Sequence, residues 1–486
     1  MLEWTIPLYD NHTEPKYMQI YAYIKSEILK GGAPALSRLP SVRGLADNLG
    51  VSKNTVEAAY QQLIAEGYVE SRAKKGLFVA DWDQEELPLL PKLPAAGQRA
   101  RSNRLGSVAA TAGQSQPLLD FRHGSVDPDS FPLVLWRKFS NELFKTQLKE
   151  ATTYGMQQGE LRLREEIAAY LYPARGVVCT PDQIVIGAGI QQLLMRIVQL
   201  IGINGQTIAM EDPGYDGARI IFDSFNFKLS PIPLEPDGIS MEVLEQSGAE
   251  LVYVTPPYQF PCGIVMPLAK RRRLLQWAER QDAFIIEDDY NGEFKYGTKP
   301  IPALQGLDMN GRVVYLGTFS KTLLPSLRLS YMVLPPKLLA RYTDRFALLE
   351  QTASKLHQLT LASFMGSGHW ERHLRRLRKI YRRKHDVLVQ SIGHQFGDEI
   401  RIISDRCGLH LTVEVRTTFS EAELVKSAME HGVKVYPLSP YRMVQEDGYP
   451  RLLLGFAGLN EQQLKEGTAR LKQAWDGGMH RRQMGE

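Results

Sequence analysis

The sequence predicts two domains of different fold class: a small winged helix-turn-helix domain (α+β), then a large α/β domain with a mainly parallel sheet. Residues 14–80 contain three short helical patterns followed by two strand-like segments, which is the order of a winged helix. Residues 118–480 alternate strand-like and helical segments, as parallel sheets covered by helices do. Residues 81–117 carry spaced prolines and small polar residues and are interpreted as a linker.

The composition is that of a globular protein without a membrane-spanning segment. The chain has 486 residues, too many for one hydrophobic core, and its 43% hydrophobic and 23% charged residues are ordinary values. Three distant cysteines exclude a cysteine-based zinc cluster and favour a reducing compartment. No run approaches about 18 apolar residues, and the segment MLEWTIPLYD lacks a signal-peptide pattern. We therefore expect a cytoplasmic protein, and the net charge of +4 is too small to predict nucleic-acid binding by itself.

Apolar spacing and helix caps predict a helix-turn-helix unit within residues 14–80. Ile20, Ile24 and Ile28 recur every four residues on a first helix. Ser41 and Ser52 precede the next two helical patterns as N-caps, with a glycine in the turn between them. Two short helices joined by such a turn are typical of helix-turn-helix DNA-binding units.

The third helix begins with short polar or basic side chains at the end that would enter a major groove. These candidates are Ser52, Lys53, Asn54 and Thr55. The strand-like segments YVESR and GLFVA would form a wing, whose turn carries Lys74 and Lys75 for phosphate contacts. The alternatives are a generic three-helix domain or a helical protein-binding module.

The segment GTFSKTLLPSLRLSY, residues 317–331, places one lysine among hydroxyl side chains, with an arginine seven positions later. A lysine that forms a Schiff base needs a desolvated position and neighbouring positive charge. Hydroxyls and an arginine are groups that hold a phosphate monoester. We therefore predict that Lys321 bonds to pyridoxal 5'-phosphate (PLP), whose phosphate is held by Thr318, Ser320 and Arg328. The alternative is a solvated surface loop.

Earlier segments supply the other groups that such a cofactor needs. The Gly-rich turn GAG opens a helix, so backbone N–H groups around Gly189 and Ile190 would bind a phosphate. Tyr215 follows a strand and would stack on the cofactor ring. Asp288 ends a buried strand and would pair with a protonated pyridine nitrogen, while Tyr290 would hydrogen-bond the ring hydroxyl. For Asp288 and Tyr290, capping or structural roles are the alternatives.

The run LPSVRGLADNLGVSKNTVEAAYQQLIAEGYVESR resembles the winged-helix domain of the GntR family of bacterial repressors, over about residues 14–80. The resemblance implies that Arg43 and the first residues of the recognition helix, 52–55, contact DNA. Lys53 stands where members often have arginine. A lysine offers a point charge where an arginine would make a bidentate contact with guanine.

Residues 118–475 resemble the fold-type I, class I aminotransferases in the order of their motifs: Gly-rich cradle, stacking tyrosine, D-x-Y, then S-K-T with its later arginine. The resemblance implies a PLP-binding domain with a smaller C-terminal α+β subdomain at about residues 340–480. It implies a Schiff base at Lys321 and ring contacts by Asp288, Tyr290 and Tyr215. It also implies that Tyr154 reaches the cofactor phosphate of the partner subunit.

Three departures from the aminotransferase pattern bear on catalysis. Phe260 stands where many members have the asparagine that contacts the ring oxygen, and Ala188 replaces a Ser or Thr of the phosphate loop. Leu453 occupies the position of the arginine that takes the substrate carboxylate, which leaves Arg451 as the nearest candidate. We expect PLP binding with at most a residual aminotransferase half-reaction.

A GntR-type winged helix joined to an aminotransferase-like domain is similar to the MocR/GabR subfamily of bacterial regulators. The resemblance runs the whole length and implies operator DNA as partner, a head-to-tail homodimer, and an amino-group-bearing effector sensed by external aldimine formation. Gly217 replaces an arginine that helps GABA-sensing members hold their effector, so GABA is not expected.

Two other functions remain alternatives at this stage: an active aminotransferase with an appended DNA-binding domain, and a DNA-binding protein with a cofactor-free structural domain. The basic segment from Arg372 to Lys384 is interpreted as a solvated or interfacial helix, with a DNA-facing surface as the alternative.

Overall fold

The computed structural model describes residues 6, 8, 14–72, 75–81, 118–202, 205–296, 302–404, 407–445 and 448–479. Lys74 and nearly all of the expected linker lie outside the described residues. The chain divides into two compact units, residues 1–111 and 112–486. Within the described ranges, no helix is long and apolar enough to cross a membrane.

The first unit has the predicted three helices and two-stranded wing. Its elements are α1 Lys16–Leu29, α2 Val42–Leu49, α3 Lys53–Ala65, β1 Val69–Arg72 and β2 Gly76–Val79. Ser41 Oγ accepts from the backbone N–H of Gly44 at 3.0 Å, and Ser52 Oγ accepts from that of Thr55 at 3.2 Å, so both serines cap their helices. The antiparallel wing strands pair Val69 with Val79.

The second unit alternates strands and helices through most of its length. Its first half contains β3 Leu119–Asp120, α4 Leu133–Thr146, α5 Leu148–Ala151, α6 Leu161–Arg175, β4 Ile184–Gly187, α7 Ile190–Ile201, β5 Thr207–Asp212, α8 Asp216–Ser224, β6 Lys228–Glu235, β7 Gly238–Ile239, α9 Met241–Gln246, β8 Leu251–Val254 and α10 Leu268–Arg280. Its second half contains β9 Phe284–Asp289, β10 Val313–Thr318, β11 Ser330–Val333, α11 Pro336–Arg345, α12 Lys355–Gly366, α13 His369–Phe396, β12 Ile400–Ser404, β13 His410–Val415, α14 Glu421–Glu430, β14 Val433–Lys434, β15 Tyr436–Pro437, β16 Arg451–Gly455 and α15 Glu461–Met479.

The second unit is built on an eight-stranded, mostly parallel sheet with the order β4-β11-β10-β9-β8-β5-β6-β7. Strands β10, β9, β8, β5 and β6 run parallel. Strand β11 is antiparallel to both of its neighbours, and β7 pairs antiparallel with β6. Every residue of β8 and β9 is buried, which explains why their sequences carry little of the alternation of a half-exposed strand.

The carboxyl ends of six strands meet at one edge of this sheet. Strand β4 is antiparallel to β11, which is antiparallel to β10, so β4 runs in the same direction as β5, β6, β8, β9 and β10. Ligands of open α/β sheets bind beyond such carboxyl ends. The fold therefore brings together the loops that carry the candidate motifs.

A second core lies at the C-terminal end of this unit. It contains the four-stranded antiparallel sheet β12-β13-β16-β15, and β3 pairs with β14 beside it. The 28-residue helix α13 joins the two cores, because its Leu374 packs in the large-sheet core and its Leu377 in the C-terminal core. The cores thus divide within α13, later in the chain than the boundary near residue 340 that the sequence suggests.

Candidate functional site

A cavity of about 400 Å³ lies at the carboxyl edge of the large sheet. Eight of the ten candidate cofactor residues line it: Ile190, Tyr215, Asp288, Tyr290, Thr318, Ser320, Lys321 and Arg328. They come from the ends of β9 and β10, from the loops after β5, β9 and β10, and from the start of α7, the helix after β4. The structure thus groups side chains that lie far apart in the sequence.

Lys321 follows β10 and points its amine into the cavity, where Nζ donates a hydrogen bond of 3.3 Å to the carbonyl oxygen of Gly124. Burial and, to a smaller extent, the charge of Arg122 lower the pKa of Lys321 to about 8, although the charge of Asp288 opposes them. A lysine with such a pKa is neutral in part of the molecules near pH 7, as a nucleophilic amine must be.

Arg328 lines one end of the cavity, and Gly189, which does not itself line the cavity, lies against the Arg328 guanidinium. Arg328 Nη2 donates to the carbonyl oxygen of Ala188 at 3.1 Å, and the Arg328 backbone is left-handed, with φ of 52°. Gly189 has φ of 105°, and a Cβ added there would lie 2.1 Å from Arg328 Nη2. Only glycine therefore permits the guanidinium to lie against the N-terminus of α7, where backbone N–H groups attract anions.

Two hydroxyls complete this end of the cavity. Thr318 Oγ1 accepts from the backbone N–H of Ser320 at 3.2 Å and lies 3.1 Å from Ser320 Oγ. Ser330 Oγ donates to Thr318 Oγ1 at 2.8 Å and fixes its orientation. Hydroxyl, guanidinium and helix N-terminus together form the donor set that a phosphate group requires.

Asp288 lies on the floor of the cavity, at the end of β9, with one carboxylate oxygen bonded and the other unpaired. Tyr253 donates its hydroxyl to Asp288 Oδ2 at 2.5 Å. The buried Oδ1 has no hydrogen-bond partner among the described residues. Burial raises the pKa of Asp288 to about 7. A cationic donor that reached Oδ1 would supply the missing bond and hold the carboxylate ionised.

Aromatic side chains surround the space above Asp288. The Tyr215 ring lies 6.5 Å from that of Tyr253 at an angle of 30°, and 6.1 Å from the ring of Phe260. Burial raises the pKa of Tyr215 to about 12, so its hydroxyl stays protonated. The buried hydroxyl of Tyr290 has no hydrogen-bond partner within the described ranges.

The opposite wall contains residues that the sequence did not single out. Arg122 and His123 follow β3, His410 begins β13, and all three line the cavity. Burial lowers the pKa of His123 to about 4 and that of His410 to about 3, so both rings are neutral near pH 7. Tyr253 was missed as well, although a tyrosine inside a buried aliphatic strand signals that its hydroxyl needs a partner.

Besides Gly189, two candidate residues do not line the cavity. Arg451 does not line it, and Arg451 Nε donates to Glu414 Oε2 at 3.1 Å, so the expectation that it takes an effector carboxylate finds no support in its position. The cause is strand register, since Arg451 pairs with Glu414 across β13 and β16. Tyr154 is 85% exposed on the surface of the single chain, and its contact with a partner subunit stays a prediction.

In the first unit the DNA-contact candidates lie on the exposed start of α3 and near it. Arg43, Ser52, Lys53 and Asn54 are exposed and Thr55 is half-buried, while Lys75 is exposed in the wing turn. Ser52 Oγ and Thr55 Oγ1 lie 2.8 Å apart, so the two hydroxyls already serve the helix cap. Among the described candidates, this leaves Arg43, Lys53 and Asn54 at and near α3, and Lys75 in the wing turn, as the side chains that can extend toward DNA.

The basic segment of α13 is only partly a charged surface. Arg372, Arg375, Arg376 and Lys379 are exposed. Lys384 is buried instead, and its Nζ donates to the carbonyl oxygen of Ala457 at 2.8 Å. The exposed charges therefore end before the last residue of the predicted segment.

Both units match known protein families. Residues 16–79 match the family "Bacterial regulatory proteins, gntR family", and residues 124–471 match "Aminotransferase class I and II". The chain is 41% identical over 466 residues to the uncharacterized HTH-type transcriptional regulator YdeL of Bacillus subtilis (strain 168), covering 95% of this chain and 97% of that protein.

A second relative and a solved structure extend the comparison. The probable rhizopine catabolism regulatory protein MocR of Rhizobium meliloti is 35% identical, with 95% of this chain and 94% of that protein covered. The crystal structure of Pyrococcus horikoshii kynurenine aminotransferase in complex with PMP superposes with a TM-score of 0.68 at 26% identity. That alignment covers 75% of this chain and 92% of the aminotransferase.

Proposed function

The chain belongs to the MocR/GabR subfamily of GntR-type transcription regulators, and from this premise we propose that it binds PLP at Lys321 and senses an amino compound there. It is an HTH-type transcription regulator with an aminotransferase-like domain. The proposal rests above all on one observation: a partly neutral lysine, an unpaired buried carboxylate oxygen and an arginine–glycine cradle share one cavity.

The residues present fit PLP in charge and in hydrogen bonding. Asp288 Oδ1 is buried without a partner among the described residues, as suits an acceptor for a protonated pyridine nitrogen. Gly189 leaves the space beside Arg328 that a Cβ would fill, as suits a phosphate. A related fold holds PMP in the Pyrococcus horikoshii aminotransferase.

When bound, PLP supplies an aldehyde that condenses with primary amines and a ring that withdraws electrons. This chain would orient it through Arg328, Thr318 and Ser320 at the phosphate and through Asp288 at the ring nitrogen. Tyr215 would pack on the ring face, and Tyr290 would donate its hydroxyl to the ring oxygen. Lys321 would present its amine in neutral form, as its lowered pKa permits.

The effector acts on DNA binding through competition for this site. An amino compound that takes the place of the Lys321 amine frees a charged lysine inside the cavity and changes the contacts of its walls. Such a change alters DNA affinity only if the effector binds two arrangements of the protein unequally. We propose that these arrangements belong to a head-to-tail homodimer to which Tyr154 of each chain contributes.

The DNA half of the proposal assigns operator contacts to Arg43, Lys53, Asn54 and the wing residue Lys75. Their exposure at the start of α3 and in the wing suits a helix N-terminus in a major groove with a wing on the phosphates. Ser52 and Thr55 would support α3 as cap residues, because Ser52 Oγ accepts from the backbone N–H of Thr55 and the two hydroxyls lie 2.8 Å apart.

Titration of the purified protein with PLP, followed by visible absorbance, tests the proposal that PLP binds at Lys321. We expect a band from the protein-bound cofactor that Lys321→Ala abolishes and that the exposed-surface variant Lys30→Ala retains. A gel-shift assay of the loaded protein on its own upstream region, with and without amino compounds, tests the coupling. Absence of the band in the wild type would leave only the DNA-binding unit with an assigned role.

A turnover assay separates the regulator from an active aminotransferase. Phe260 and Leu453 occupy positions where asparagine and arginine serve catalysis in the resembling enzymes, so we expect no sustained transfer between common amino acids and keto acids. Steady turnover near 10 per second, the median for enzymes, would instead assign the large unit to catalysis.

A further inference from the structure

We propose that Arg122 binds an anionic group of the effector, so that this regulator responds to amino compounds that carry a carboxylate. The inference rests on the proposed function, since it places the effector amine at Lys321. Arg122 would select the effector class from the wall of the cavity that is formed by the segment after β3.

Among the charged side chains that line the cavity, one cation has no assigned binding partner. Three cations line it, Lys321, Arg328 and Arg122, with two acids, Asp216 and Asp288. Lys321 is the candidate nucleophile, and Arg328 lies at the phosphate end against Gly189. Asp288 bonds Tyr253, and Asp216 accepts from the backbone N–H of Gly217 at 2.8 Å. Within the described ranges the Arg122 guanidinium has no hydrogen bond or ion pair.

Arg122 lies close to the reacting amine, apart from the phosphate end. The carbonyl oxygen of Gly124, two residues later, accepts the hydrogen bond of Lys321 Nζ at 3.3 Å. The charge of Arg122 is felt at Lys321, His123 and Tyr441. An effector whose amine occupied the Lys321 position would therefore have its remaining atoms within reach of the guanidinium.

The position of Arg122 is fixed by β16. The backbone N–H of Gly455 donates to the carbonyl oxygen of Phe121 at 2.8 Å. A Cβ on Gly455 would lie 2.4 Å from the carbonyl oxygen of Arg122, so glycine at this position lets the two segments touch. The backbone of Arg122 is thus held by a strand contact while its side chain is exposed, so binding an anion orders only the side chain.

No other described cation reaches this wall from the C-terminal sheet. Leu453 pairs with Thr412 and Gly455 pairs with His410 across β13 and β16. Residues two apart share a sheet face, so Leu453 lies on the face that carries the cavity-lining His410. Leu453 is uncharged, and Arg451 donates a hydrogen bond to Glu414. Arg122 is the cation that remains.

His123 beside Arg122 adds hydrogen bonding without adding charge. Its Nδ1 is buried with no partner among the described residues, while its Nε2 lies 3.4 Å from the Tyr441 hydroxyl. A neutral imidazole offers one donor and one acceptor. His123 would therefore contribute to the shape and polarity of the effector site, and the anion selectivity itself belongs to Arg122.

The test compares amino acids with amines that lack the carboxylate, on cofactor-loaded protein. Alanine and β-alanine are each compared with ethylamine. Longer ω-amino acids are each compared with the amine that lacks the carboxylate, and the ionic strength is kept constant. The variants are R122Q and R122K, and R272Q is the control, because Arg272 is exposed on α10 and does not line the cavity. The readouts are the visible absorbance of the cofactor and the ligand-dependent shift in Tm.

We expect at least one acid to act on the wild type at a concentration tenfold or more below that of its amine. R122Q should raise the half-saturating concentration of that acid about 10- to 100-fold, as loss of a charge-assisted hydrogen bond does, and the amine should change much less. R122K should restore part of the preference, since a point charge replaces a bidentate fork. R272Q should match the wild type in both readouts.

Three results would overturn the inference. One is a wild type that responds to the amines but to none of the acids, another is an R122Q variant that keeps the acid preference, and the third is a loaded protein that responds to no compound of either kind. These outcomes leave the cofactor band in place and so differ from failure of the proposed function, in which the wild type never acquires that band.

Discussion

Tyr253 shows how one residue outside the recognisable motifs sets the properties of a residue inside them. Its hydroxyl bonds Asp288 Oδ2 and leaves Oδ1 turned to another donor. Tyr253 is fully buried, and burial keeps its own pKa well above the usual value, so it remains a donor. Asp288 therefore has one fixed partner and one open acceptor site.

Tyr253→Phe should weaken PLP binding. The substitution keeps the ring but removes a hydrogen bond to a charged group, worth about 1.5–3 kcal/mol, which is about 10- to 100-fold in affinity. Titration with PLP, followed by absorbance, measures the change. Tyr342→Phe is the control, because Tyr342 packs against Phe346 in the core behind the sheet. Equal affinity for the wild type and Tyr253→Phe would contradict the role given to Tyr253.

The rate at which Lys321 captures PLP should rise with pH through a midpoint near 8. Burial and the charge of Arg122 lower the pKa of Lys321 to about 8, and only the neutral amine attacks an aldehyde. At pH 7 about one tenth of the lysine is neutral, and the fraction grows as pH rises. Stopped-flow absorbance with excess PLP, from about pH 6.5 to 9.5, measures the profile.

The variant R122Q provides the matching test of this pH dependence. Removing a positive charge makes protonation of Lys321 easier, so the midpoint should move to higher pH. A profile that stays in place, or that moves to lower pH, would show that Arg122 does not act on this lysine.

At the level of single residues, the sequence predicted those groups whose motif is local. Lys321, Thr318, Ser320 and Arg328 lie within one segment, and their chemistry shows in the spacing. Arg122, His123 and Tyr253 could not be found in this way, because their proximity to Lys321 depends on strand order and on contacts across the chain, such as Gly124 to Lys321. The expectation for Arg451 did not fit the structure because it required a register between β13 and β16 that the sequence does not reveal.

At the level of elements, the phosphate end depends on the joint between β4 and α7. Gly189 has a backbone conformation that is essentially restricted to glycine, and Arg328 occupies the space beside it. The short turn brings the N-terminus of α7 to the carboxyl edge of the sheet, where β10 presents its hydroxyls. In the proposed phosphate site, one glycine would therefore determine whether three separate elements can bind the same anion.

Gly189→Ala should reduce PLP affinity at least tenfold and lower stability by about 1–3 kcal/mol, the cost of a strained backbone position. Its control is Gly393→Ala in α13, where an added Cβ meets nothing within 4 Å and alanine favours the helix by about 1 kcal/mol. Absorbance titration and thermal unfolding report the two effects. Unchanged PLP affinity in Gly189→Ala would refute the phosphate assignment.

Most helices and central strands follow from periodicity and caps in the sequence, as for α2 and α3 with Ser41 and Ser52. The antiparallel strand β11 inside the large sheet and the long helix α13 do not. The direction of β11 depends on its neighbours, and α13 spans two cores although its sequence marks no boundary between Leu374 and Leu377. Tertiary packing decides such features, and local patterns do not record it.

At the level of the whole molecule, the two units have separate cores, and the proposed DNA contacts and the proposed ligand site lie in different units. The first unit has its own hydrophobic core, which includes Ile20, Ile24, Val56 and Leu63. The cavity is lined by residues of the second unit alone. Substitutions on the exposed face of one unit should therefore leave the direct ligand binding of the other intact.

Arg43→Ala should weaken operator binding about tenfold or more. The slope of log K against log salt concentration should become less steep by about 1, as expected for loss of one cationic contact with phosphate. The absorbance of bound cofactor should be the same as in the wild type. Lys30→Ala is the control, because Lys30 is exposed at the end of α1. Gel shifts at several salt concentrations measure the operator affinity of each variant. An Arg43→Ala variant with full affinity would show that Arg43 does not contact DNA.

The most direct test of the whole account is chemical: incubate the full-length protein with PLP, reduce with borohydride, digest, and locate the phosphopyridoxyl adduct by peptide mass spectrometry. We predict one adduct at near-full occupancy, on the peptide that contains Lys321. An adduct spread over surface lysines, or none on that peptide, would contradict it.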